Sequence, residues 1–227
     1  MKLVIVTLLA CCSIAASAQD AALLVKKVKA KIDLVNNYEA NGTMKTNVSF
    51  LKVPEATVKI YFKKPNQLKI KNEKGLSFVP KGAVSINLSN LLAGNQYSII
   101  DAGKDKVGNT VTRVVKLLPT DDNAEVVLST LYIDETNLVI LKVKTTTREN
   151  GSYQLDMTFG KYLPYGLPDK IVFTFNTKDY KLPKGVTFDF DDGSTNRKPA
   201  DKNNHGRAEI IFTNYIINKG IPDSYFK

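Results

Sequence analysis

Two hydrophobic periods divide the chain. Ala21, Leu24, Val25, Val28, Ile32 and Val35 recur at helical spacing, with Lys26, Lys27, Lys29, Lys31 and Asp33 on the other faces. This predicts an amphipathic helix capped by Asp20 and ending at Asn36-Asn37. From Tyr38 onward the period changes to two. Val58, Ile60 and Phe62 alternate with Thr57, Lys59, Tyr61 and Lys63; Tyr153, Leu155, Met157 and Phe159 alternate with Gln154, Asp156 and Thr158. Ile171, Phe173 and Phe175 repeat the pattern against Lys170, Thr174 and Asn176, as do Ala208, Ile210 and Phe212 against Glu209 and Thr213. These are strands with one wet face.

Turn chemistry falls between them at Lys64-Pro65-Asn66, Gly103 to Asn109, Asp134 to Asn137 and Asn150-Gly151. The last predicts a hairpin joining Leu138–Arg148 to Ser152–Gly160. A short helical candidate, Ser89 to Ala93 closed by Gly94, interrupts the series, and the polar stretch Asp191 to Arg207 reads as an exposed loop. The pattern thus predicts a mainly β (α+β) chain of about ten strands, a strongly curved antiparallel sheet whose concave face the helices cover. Side chains that fill this interior and side chains that line a cavity look alike in sequence, so both readings stand.

The N-terminus adds a compartment. Lys2, an apolar run over residues 3–15 and the small residues Ala16-Ser17-Ala18 read as a signal peptide over 1–18, leaving a single domain over 19–227. Leu8-Leu9-Ala10-Cys11 offers a lipoprotein-type cleavage as the alternative. Both cysteines, Cys11 and Cys12, lie in the segment to be removed, so stability must come from a packed core. The formal charge of +10 comes from scattered lysines. Outside the cytoplasm this argues against nucleic acid and is compatible with anionic headgroups or a merely solvated face.

Catalytic chemistry is sparse. His205, the single histidine, stands in the polar loop, and no thiol survives, which argues against a Ser-His-Asp triad or a zinc site. Asp189, Asp191, Asp192 and Gly193 resemble a calcium loop, but Ala200 stands where the closing glutamate belongs. Asp121-Asp122 and the Asp101/Asp105 pair fall in expected turns. No enzyme activity, metal or cofactor is expected.

The stretch from Ala56 to Lys71 resembles the signature hairpin of the outer-membrane lipoprotein-sorting family of LolA and LolB, in which a strand ends in a basic residue and proline before an apolar strand begins. Lys64, Pro65 and Leu68 are the matching residues. The order of elements agrees further through Val115–Pro119, Tyr132-Ile133-Asp134 and Leu182–Val186, and looks closest to LolA-like proteins of the Bacteroidetes type. The resemblance implies an incomplete, strongly curved antiparallel β-barrel with an N-terminal helix and a helical lid over a hydrophobic cavity. It implies a non-catalytic, monomeric periplasmic carrier of lipoprotein or lipid acyl chains, meeting an inner-membrane release machine and an outer-membrane receptor. The cavity lining would be Val58, Ile60, Phe62, Leu68, Ile70, Tyr153, Leu155, Met157, Phe173 and Phe175. Lid control would fall to Lys64 and Pro65, Lys64 standing where the carriers have an arginine. Two alternatives stay open: a plain turn with a solvent-facing Lys64, and an envelope binding or structural module with a solid β core and basic surface.

Overall fold

The computed structural model describes residues 20–48, 51–52, 55–65, 67–72, 92, 97–149, 151–176 and 205–226. A helix, α1, spans 20–32. It is followed by β1 (Asn37–Val48), β2 (Leu51–Lys52), β3 (Ala56–Lys63), β4 (Gln67–Asn72), β5 (Tyr97–Val107) and β6 (Thr110–Pro119). Next come β7 (Val126–Asp134), β8 (Val139–Thr147), β9 (Ser152–Thr158), β10 (Lys170–Asn176) and β11 (His205–Ile217), with single 3-10 turns at Leu163–Tyr165 and Asp223–Phe226. The signal segment, the helical candidate apart from Leu92, the calcium-like loop and Leu182–Val186 lie outside the described residues.

The strands form one eleven-stranded sheet in the order β4-β3-β1-β11-β10-β9-β8-β7-β6-β5, with β2 paired to β1. Every pairing in it is antiparallel. The row of strands does not close: β4 and β5 each have one neighbour and are its two edges. The expected strongly curved, incomplete barrel under a helical lid is therefore corrected. The sheet is open, and among the described residues α1 is its α-helix and no helical lid is present. The physical reason is visible in the packing. Ala21, Leu24, Val25 and Val28 of α1 lie directly against Val115, Leu131, Val143 and Leu155 of the sheet, so the helix occupies the face where a cavity was expected.

Sequence and structure differ in detail at three places. First, α1 ends at residue 32 rather than at Asn36-Asn37, and the chain tightens through Leu34 N–H to Lys31 O (3.2 Å) and Val35 N–H to Ile32 O (3.2 Å). Second, Gly103 to Asn109 is not one long turn. Gly103, at φ 81°, makes a bulge within β5, and only Gly108-Asn109 turns the chain into β6. Third, His205 and Arg207 belong to β11, not to a loop, pairing with Asn176 and Thr174.

β1 is threaded between β3 and β11, and its register on β11 slips at Asn41/Gly42. A Cβ on Gly42 would stand 2.6 Å from the Ile211 carbonyl oxygen, so only glycine permits this close approach.

Candidate functional site

The register puts the expected lining residues on one face of the sheet, but divides them between two clusters. Leu155, Met157, Phe173 and Phe175, with Tyr153 at their margin, pack with α1. Val58 and Ile60, with Leu68 and Ile70 beside them, pack instead with Ala40, Met44, Phe212 and Tyr215. Phe62 joins this second group by stacking on Tyr38 at a centroid distance of 5.2 Å. Ile171 touches both clusters.

The second cluster has an aromatic cover of residues that the alternation had not singled out as site residues. Tyr215 meets Tyr38 at 5.3 Å, Tyr162 at 4.8 Å and Phe212 at 5.0 Å. The connection between β9 and β10 brings Tyr162 and Leu167 over this half of the face. It is fastened there by the Tyr215 hydroxyl donating to Pro168 O (2.8 Å) and by Phe212 N–H donating to Asp169 O (2.8 Å). Burial raises the pKa of the Tyr38 and Tyr215 phenols, so both stay neutral. The signal that could have found Tyr38 was its place in phase with Ala40, Gly42 and Met44; the register slip hides that of Tyr215.

At the end of β9 and β10 the sheet leaves a pocket of about 370 Å³, lined by Gly151, Ser152, Tyr153, Gln154, Thr174, Phe175 and Asn176. Tyr153 and Phe175 thus belong both to the larger apolar cluster and to the pocket wall. Burial pushes the Tyr153 phenol up, keeping it uncharged there.

Lys64 does not face solvent as a plain turn residue would. Its ammonium donates to the Asp33 carbonyl oxygen at 2.6 Å and lies 3.4 Å from the Asp33 carboxylate, which also pairs with Lys29. Burial works to raise the Asp33 carboxyl, but the ammonium groups of Lys29 and Lys64 outweigh it and hold its pKa below the ordinary value. The peptide bond between Lys64 and the exposed Pro65 is cis. At the other end of α1, Asp20 lies 3.7 Å from Arg113, which pairs closely with Asp101. Asp101 therefore does two things: it accepts from Gly103 N–H at 2.9 Å where β5 bulges, as expected of a turn carboxylate, and it is the half-buried ion-pair partner of Arg113. Asp121 also serves a turn, accepting from Asn123 N–H at 2.9 Å.

Among the described residues, no three His, Cys, Asp or Glu side chains come together as a metal site, and no helix is long and apolar enough to cross a membrane. The arrangement offers apolar contact and shape, with no converging acid, base and nucleophile among the residues described.

The fold of this open sheet with its N-terminal helix is similar to that of LolA-like proteins. A domain described as an outer membrane lipoprotein-sorting protein from Vibrio parahaemolyticus superposes with a TM-score of 0.59 at 11% identity, over 92% of this chain and 97% of that one. A DUF1329 family protein from Desulfovibrio piger gives 0.59 at 12% identity, over 92% and 97%. A LolA superfamily protein from Nitrosomonas europaea gives 0.54 at 11% identity, over 91% and 97%. No family model and no curated protein matches the chain.

Proposed function

We propose that the chain is a non-enzymatic carrier of acylated cargo, a lipoprotein or a lipid, working in the periplasm between an inner-membrane release machine and an outer-membrane receptor. A monomeric carrier related to LolA-like proteins of the Bacteroidetes type fits this reading. The observation that carries it is the pocket whose wall includes Tyr153 and Phe175, since both also belong to the larger apolar cluster. Its volume of about 370 Å³ falls in the range of small-molecule sites. Each methylene fully buried from water contributes about 0.8 kcal/mol, so affinity should rise with the length of acyl chain that the protein encloses. The fold likeness to lipoprotein-sorting and LolA superfamily proteins supports the same reading.

The fully buried contact of Val28 with the sheet favours a second reading, an envelope binding or structural module with a solid core. Native mass spectrometry and solvent extraction of the protein purified from a periplasm without detergent separate the two. Near-stoichiometric lipid or acylated peptide is the expected result. A ligand-free protein that also takes up no added acyl chain would sink the carrier and leave the module.

A further inference from the structure

The face of the sheet turned away from α1 is not evenly charged. One cross-strand row runs Ile100, Lys116, Thr130, Lys144, Gln154, Thr174 and Arg207, from the β5 edge to β11. Along its far end and in the next row the cations are matched: Arg207 lies 2.8 Å and Lys170 3.6 Å from the Glu209 carboxylate, and Lys142 lies 3.8 Å from Asp156. Lys116 and Lys144 have no carboxylate partner among the described residues. They stand on interior strands, so protection of a free sheet edge, the usual reason for lysines on β-strands, does not account for them.

Two further observations bear on this patch. The ammonium groups of Lys142 and Lys144 both lie over the Tyr132 ring, at 5.5 and 5.6 Å from its centroid, so one ring gathers two like charges. Ile100, the cross-strand partner of Lys116, is 46% exposed, and Leu118, two residues along the same face, is 38% exposed. Apolar side chains standing among unmatched lysines are the composition of an interfacial surface, where the chains enter the acyl boundary and the ammonium groups meet phosphates.

We infer that the outer face of β5–β8, centred on Lys116, Lys144, Ile100 and Leu118, docks the protein on an anionic lipid bilayer. Charge complementarity selects the anion, and the exposed Ile100 and Leu118 select a bilayer over a soluble polyanion. The inference is independent of the carrier reading, because it uses the face opposite the apolar clusters. A docked protein would still bind or lack cargo according to the extraction experiment alone.

The test is co-sedimentation of the purified protein with phosphatidylcholine vesicles with and without phosphatidylglycerol. Binding to the anionic vesicles only, weakened by salt, is expected. Lys116→Glu/Lys144→Glu should reduce the partition coefficient by at least about tenfold. Lys104→Glu/Lys106→Glu makes the same charge change on residues that pair with Arg113 and Val111, toward the other face, and should retain most of the binding. Absence of binding, equal binding to neutral vesicles, or equal losses in the two variants overturns the inference. Retention on heparin without vesicle binding also overturns it and assigns the face to an acidic polymer. Circular dichroism of each variant checks that the sheet is intact, and Lys116→Gln/Lys144→Gln replaces the charge reversal should that variant fail to fold.

Discussion

Lys64, on the turn after β3, donates to the main-chain carbonyl oxygen of Asp33, just past α1, across 2.6 Å. A cation at a helix C-terminus meets the orphan carbonyls and the negative end of the dipole, so this contact ties the β3–β4 hairpin to the helix. Lys64→Ala should lower stability by about 1 kcal/mol, because the pair is partly exposed. Amide exchange over residues 31–37 should accelerate, whereas Lys64→Arg keeps it slow. Unchanged exchange in Lys64→Ala would show that the contact does not hold the helix end.

The same carboxylate sets an acid limit. The pKa of Asp33 is held below its ordinary 3.8 in the fold, so the stabilisation is fully present above that value and is lost as the pH falls through the depressed folded pKa. Urea midpoints measured on the acid side of 3.8 should therefore decline less steeply in Asp33→Asn, which starts less stable, than in the parent protein. Parallel declines would assign the acid sensitivity to other carboxylates.

Asn218 closes the junction of α1 and β1 from the far end of the chain. Its side-chain oxygen accepts from Asn36 N–H at 2.7 Å, its amide donates to Leu34 O at 2.8 Å, and its backbone is left-handed at φ 56°. Asn218→Ala loses the hydrogen bonds and strains the backbone, with an expected cost of about 1–2 kcal/mol. Asn218→Gly loses the bonds but not the conformation, and should cost less. Equal urea midpoints for the two variants would remove the backbone from the explanation.

Tyr153→Asp places a charge in the pocket wall from a half-buried position. It should reduce uptake of a fluorescent fatty acid by at least about tenfold while the far-ultraviolet dichroism is kept. Full uptake by a folded Tyr153→Asp protein would move acyl binding elsewhere on the molecule.

Local pattern carried much of this fold. The alternation of Val58 and Ile60 places β3, and Asn150-Gly151 marks the antiparallel pair of β8 and β9. What alternation does not contain is partnership at long range. Nothing around Tyr38 announces that it pairs with Ile217, so the joining of β1 to β11 was hidden. Tyr61 shows the same limit. Its position in the repeat assigns it to the wet face, yet it is buried, because Tyr225 folds back to 4.9 Å from its ring. For the candidate site, periodicity found the apolar residues but not their division into two clusters. That division follows from α1 and the β9–β10 connection covering different parts of the face.

The position of β11 governs how the molecule can assemble. In the row of strands β11 alone joins β1, β3 and β4 to the six strands from β10 to β5. Its Ala208 packs in one cluster, its Phe212 and Tyr215 in the other. The early strands have no neighbour across that gap until β11 arrives, and β1 must wait unpaired on one side. The search for this non-local closure is a slow kind of folding event, and until it ends β1 exposes a free edge to other chains. Damage to β11 would therefore act as a scission within the sheet, leaving its two parts tied by the β9–β10 connection and the Lys64–Asp33 contact, rather than as the fraying of an end.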